Sequence, residues 1–111
     1  MVRVRFSDAA KADVREAIAY TRRGWGRAKA EQYRDLLREA RARLAREPSC
    51  GTAQPEIHPD LRVYRIEQPG RSARHALLYR VPSSGDVHIA RVLYDGMDYG
   101  KHLPKKFGEE K

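Results

Sequence analysis

Three arginines, Arg62, Arg80 and Arg91, fall on three apolar, β-forming segments in the second half of a 111-residue chain. Brought together on one sheet face, their guanidiniums would bind a phosphate bidentately or stabilise a phosphoryl transition state. Two blander roles stand ahead of catalysis: ion pairing with Asp60, Glu67, Asp86 or Asp98, or binding of an acidic partner. Networks of this kind are more often structural than catalytic. Arg91 opens Arg91-Val92-Leu93 with Asp98 downstream, so an internal Arg91–Asp98 pair is expected. His75 precedes the run Ala76-Leu77-Leu78-Tyr79 and is placed to pack or hydrogen-bond. A general base would need a near-neutral pKa and a proton within reach. His58, His88, His102 and Cys50 lack ligand spacing, so no metal or cofactor is expected. There is no glycine-rich phosphate loop, no Ser/His/Asp or Cys/His set, and no carboxylate pair placed for acid–base work.

The elements that position these residues are legible from periodicity. Val2-Arg3-Val4-Arg5-Phe6 alternates as a half-buried strand does. Ser7 offers a helix N-cap and Asp8 suits the first turn. Ala10, Val14, Ala17, Ile18 and Thr21 form one helical face up to Tyr20-Thr21, with Gly24 and Gly26 as the stop and Trp25 between them. Trp25 has two readings, sealing the end of the two-helix core, which is the expected one, or projecting as an anchor for a partner. Tyr20 and Tyr33 are expected to pack between the helices. A second helix begins near Arg27, carries the stripe Tyr33, Leu36, Leu37, Ala40 and Leu44, and ends at Pro48. Residues 48–60 contain Pro48, Gly51, Pro55 and Pro59 and read as an irregular linker. Leu61–Ile66 is the next strand, Gln68–Ser72 a turn, and 73–81 and 87–94 two strands joined by Pro82-Ser83-Ser84-Gly85-Asp86. The tail, residues 105–111, is charged and expected to fray.

This order, β-α-α-β-β-β, predicts a single α+β domain over 1–111: an N-terminal strand and an antiparallel two-helix hairpin packed on a C-terminal antiparallel sheet. The first strand is expected to join that sheet beside a neighbour that periodicity does not name.

The formal charge is +8, with 34% charged and 41% apolar residues. Residues 1–47 hold 13 Lys and Arg against 7 Asp and Glu, and residues 48–111 hold 10 against 8, so the helices carry most of the excess. Such a field favours nucleic acid, a membrane surface or an acidic protein segment. The lone Cys50 excludes an internal disulfide. With no signal-like or membrane-spanning apolar run, a cytoplasmic location is expected.

The pattern His75-x-x-x-Tyr79-Arg80, Gly85-x-Val87-x-Ile89-x-Arg91-Val92-Leu93, Met97-Asp98 and His102-Leu103 resembles the ParE branch of the RelE/ParE toxins, the toxic halves of bacterial toxin–antitoxin pairs. The resemblance extends upstream through Ala12-Asp13, Ile18-Ala19-Tyr20, Trp25-Gly26 and Leu44-Ala45, and covers roughly residues 3–103. Tyr94 stands where that branch usually has histidine. The resemblance implies the RelE/ParE fold, inhibition of DNA gyrase without chemistry by the toxin, and neutralisation by a ParD-like antitoxin with an acidic C-terminal segment. The groove between hairpin and sheet is the expected seat of that segment. Arg34, Arg38, Arg41, Arg62 and Arg65 would serve as charge partners, and Tyr33 and Leu37 as apolar contacts.

Two alternatives stay open. RelE-like ribosome-dependent mRNA endonucleases use sheet cations, and here Arg62, Arg80, Arg91 and Tyr94 would be the catalytic set. No Lys lies between Cys50 and Arg62, where such nucleases supply lysines. A basic nucleic-acid-binding module would exploit counterion release, although no recognition motif is present.

Overall fold

The computed structural model describes residues 2–67, 74–94 and 96–108. Strand β1 (Val4–Phe6) runs into helix α1 (Asp8–Trp25), which turns back into α2 (Arg27–Arg46). Strands β2 (Thr52–Ala53), β3 (Arg62–Glu67), β4 (Arg74–Arg80) and β5 (Val87–Tyr94) follow, then a short helix, α3 (Tyr99–His102). The expected turn at Gln68–Ser72 and the end of the tail, residues 109–111, lie outside the described residues.

Ser7 makes the strand-to-helix junction. Its hydroxyl accepts from the Ala10 N–H at 3.0 Å and donates to the Ala90 carbonyl at 2.8 Å, so one residue caps α1 and ties it to β5. α1 continues past Thr21 and Gly24 to Trp25. Gly26, the second of the two expected stops, ends it at φ +91°, because positive φ costs glycine little. α1 buries only Ala10, Ala17 and Thr21, small residues that admit a close neighbour, while α2 buries Ala30, Tyr33, Leu37, Ala40 and Leu44 at helical spacing.

The sheet order is β1-β5-β4-β3-β2. β1 lies parallel to β5 and every other pairing is antiparallel, so the sheet is mixed. The parallel pairing follows from the hairpin: two helices return the chain over the sheet before the meander begins. β2 arises inside the proline-rich linker, where Thr52 pairs with Val63 and Ala53 with Arg62. Two residues carry no readable periodicity, and their position comes from a neighbour. The Tyr79 hydroxyl donates to the Pro48 carbonyl and accepts from the Gly51 N–H, both at 2.8 Å.

Both faces of the sheet are covered. Val4, Ile66, Leu77, Tyr79, Val87, Ile89 and Val92 pack under the helices. Leu61, Val63, Ala76, Leu78, Ala90 and Leu93 face the other way, onto Tyr99, Leu103 and Phe107. The unbroken run Ala76-Leu77-Leu78-Tyr79 is what a strand buried on both faces requires. The expected fraying of residues 105–111 therefore fails at Phe107, which is 4% exposed with its ring edge-on to His58 at 4.9 Å. The second face needs this cover.

Candidate interaction surface

The three sheet arginines do not converge. Arg62 pairs with Tyr79 and so lies on the helix side, where its Nη1 donates to the Ser49 and Gly51 carbonyls at 3.0 and 2.7 Å. Arg80, one residue past Tyr79, is buried on the opposite face, opposite His88 of β5. Arg91 leaves through the sheet edge. Leu78 pairs with Arg91 and Tyr79 with Ile89, so Ala90 is an extra residue in β5. A bulge of this kind re-aims the side chain beside it.

Arg91 then meets Asp13 of α1 rather than Asp98. Its Nε and Nη2 donate to the two carboxylate oxygens at 2.8 and 2.9 Å, and its Nη1 donates to the His102 carbonyl at 3.1 Å. Asp13 Oδ2 also accepts from the Val92 N–H at 2.9 Å. The reason is topological: β1 ends at Phe6, so beyond Ile89 the outer edge of β5 has no strand partner. Ser7 and Asp13 satisfy its backbone instead. The bidentate bond to Asp13 raises the Arg91 pKa further. Asp13 stands in the sequence only as part of the Ala12-Asp13 resemblance, with no partner assigned, and the β1–β5 pairing places it there.

At the far end of β5, Tyr94 pairs with His75 and the two rings meet edge-on at 4.5 Å. His75 also lies edge-on to Tyr33 at 4.7 Å, and its Nδ1 is hydrogen-bonded to the Tyr33 hydroxyl. Burial pushes the His75 pKa down to about 4 and raises that of Tyr33. Both stay neutral at pH 7, which suits a Tyr33 hydroxyl donating to an unprotonated Nδ1. Tyr33 is thus packed, as its place in the stripe implies.

Tyr20 and Trp25 are half-exposed rather than buried between the helices. They are 51% and 48% exposed, with ring centroids 5.7 Å apart. Tyr94 is 42% exposed, and its hydroxyl pKa is raised by partial burial and then by Tyr20 and Glu16 of α1.

The residues expected to meet an acidic segment separate into groups. Arg34, Arg38 and Arg41 form one exposed row on α2. Arg34 and Arg38 each pair with the acid one turn earlier, Glu31 at 3.7 Å and Asp35 at 2.9 Å. Arg41 donates to the Val4 carbonyl of edge strand β1 at 3.2 Å and lies over the Phe6 ring. Tyr33 and Leu37 are buried in the chain's own core. Arg62 holds the linker, and Arg65 pairs with Ala76 on the face away from the helices. Among the described residues, no three His, Cys, Asp or Glu side chains group as metal ligands. No helix among them is long and apolar enough to cross a membrane.

A basic helical hairpin laid over a mixed sheet, with a C-terminal segment closing the second face, defines a small α+β fold. A solved chain from the chromosomal ParDE toxin–antitoxin system of P. aeruginosa superimposes with a TM-score of 0.67 at 19% identity, over 84% of this chain and 95% of that one. Sequence gives the family. Residues 4–99 match the ParE toxin of type II toxin–antitoxin systems, parDE. Toxin ParE1 of Mycobacterium tuberculosis is 38% identical over 87% of this chain and 93% of its own length. Toxin ParE of Escherichia coli is 33% identical over 80% and 81% respectively. The chain belongs to the ParE family of toxins.

Proposed function

We propose that this toxin binds DNA gyrase in the cytoplasm, stabilises its DNA-cleaved state, and is neutralised by a ParD-like antitoxin whose acidic C-terminal segment docks along α2. The observation that carries this reading is the ParE match across 4–99 combined with sheet arginines committed elsewhere. Arg62 holds a linker and Arg91 a carboxylate, while Arg80 points to the other face. A ribonuclease using Arg62, Arg80, Arg91 and Tyr94 together would need them around one phosphate. Action by binding, with no bond made or broken by the toxin, fits this arrangement better.

The α2 row suits an acidic partner. The Arg34–Glu31 and Arg38–Asp35 pairs are exposed, so each contributes about 0–1 kcal/mol and is readily exchanged for a partner carboxylate. Two assays test the proposal. The purified chain should inhibit supercoiling by gyrase, and added antitoxin should relieve the inhibition. Arg34→Glu with Arg38→Glu should weaken antitoxin binding, read by calorimetry, at least about tenfold. Unchanged affinity would remove the α2 row from the interface.

A further inference from the structure

Three exposed aromatic side chains gather at one end of the molecule. Tyr20 and Trp25 touch on the last turns of α1, and Tyr94 ends β5 within electrostatic reach of Tyr20. Met97, also exposed, follows Tyr94, its N–H donating to the Tyr94 carbonyl. Isolated exposed apolar residues need no explanation, but a cluster marks a contact surface. Behind it, the patch is fixed: Tyr94 rests edge-on against His75, which is bonded to buried Tyr33. Anchors held this way lose little freedom on binding. The α1–α2 side of the rim is basic, with Arg22 and Arg23 in the last turn of α1 and Arg27 and Lys29 at the start of α2, while Glu16 of α1 lies within electrostatic reach of Tyr94.

We propose that this hairpin tip, Tyr20, Trp25 and Tyr94 within a basic rim, is the anchor by which the toxin holds an acidic protein surface of its target, separate from the α2 row that meets the antitoxin. This rests on the toxin reading given above. Trp, Tyr and Arg dominate the energetics of protein interfaces, and the surplus of cations specifies an acidic counterpart. A protein fits better than DNA for two reasons. Successive bases stack on parallel faces, whereas Tyr20 and Trp25 are tilted by 56° and His75 and Tyr94 by 78°. Glu16 beside Tyr94 also repels phosphate. Nothing lies within 4 Å of a Cβ placed on Gly24 or Gly26, so the turn between the helices faces open space beside the two rings.

The test uses the full chain with Trp25→Ala, Tyr20→Ala with Trp25→Ala, and Arg22→Glu with Arg23→Glu, circular dichroism confirming that each folds. Growth arrest on induction reads engagement of the target, whatever its identity. Calorimetry reads the antitoxin, direct binding reads purified gyrase, and a mobility shift reads naked DNA. The aromatic variants should abolish arrest at wild-type expression and weaken gyrase binding at least about 30-fold. Antitoxin affinity should stay within about threefold, as expected for distant sites. The charge-reversed variant should bind the target more slowly and with weaker salt dependence. Arrest undiminished in the aromatic variants would overturn the proposal. So would antitoxin affinity falling in step, a loss confined to DNA binding, or a wild type that arrests nothing. If the wild type arrests growth but leaves gyrase untouched, the gyrase reading fails while the arrest data still decide the role of the tip.

Discussion

Two ion pairs of similar length separate what holds this molecule together from what decorates it. Arg91–Asp13 and Arg38–Asp35 have shortest distances of 2.8 and 2.9 Å, but the first pair is 25% and 13% exposed and the second 73% and 64%. Asp13→Ala leaves a guanidinium and the Val92 N–H unsatisfied in a partly buried site. It should cost about 3 kcal/mol in urea denaturation, whereas Arg38→Ala should cost under about 0.5 kcal/mol. Equal losses would mean that the Asp13 hub is not structural. His75 makes a second residue-scale prediction, with a sign. Its pKa falls from 6.5 in the unfolded chain to about 4 in the folded one, so between these values the unfolded state binds more protons. Its contribution to stability is therefore complete above pH 6.5, is lost as pH falls toward 4, and changes no further below that. At about 1.4 kcal/mol per pKa unit, reduced for partial exposure, the loss is of the order of 2 kcal/mol. Denaturation midpoints from pH 7.5 to 4 should show this, and His75→Gln should flatten that part of the profile. A profile identical in the variant would sink the assignment.

Among elements, the C-terminal segment is the one whose importance composition conceals. Its lysines suggest a loose tail, yet Phe107 closes the second face of the sheet over Leu61, Val63 and Leu78. Phe107→Ala should destabilise by about 3–4 kcal/mol, measured by thermal or urea denaturation, as for other buried aromatics. A cost under about 0.5 kcal/mol, the level of an ordinary surface site, would restore the frayed tail. The contrast shows where sequence is legible. Helices with repeated apolar stripes, such as Tyr33 to Leu44, and a doubly buried run, such as Ala76–Tyr79, declare themselves through periodicity. Two-residue β2 has no period. Of the two glycines expected to stop α1 only Gly26 does so, because an exposed glycine such as Gly24 weakens a helix without ending it. The Arg91 partner was misplaced for a different reason: Asp13 lies 78 residues away, reachable only once β1 is known to run parallel to β5. Packed Tyr33 was readable from its stripe. The exposure of Tyr20 was not, and for Trp25 it was only the second of two readings, because helical spacing does not say which apolar residues another element covers.

Taken whole, the molecule presents two basic surfaces on one hairpin, the α2 row and the aromatic tip, over a sheet whose own arginines are largely committed to internal contacts. A net charge of +8 also predicts fast, salt-sensitive association with the acidic antitoxin segment proposed above. The on-rate should fall steeply as ionic strength rises, because the screening length shortens from about 30 Å at 0.01 M salt to about 8 Å at 0.15 M. Stopped-flow mixing at several salt concentrations checks this, and a flat dependence would argue for apolar docking. The gyrase claim itself is tested most directly by a DNA cleavage assay with purified gyrase, ATP and supercoiled plasmid, run with a known gyrase poison as control. Linear DNA trapped by the toxin and cleared by antitoxin is the predicted result. Plasmid left supercoiled and uncut, under conditions where the control poison linearises it, would contradict the account.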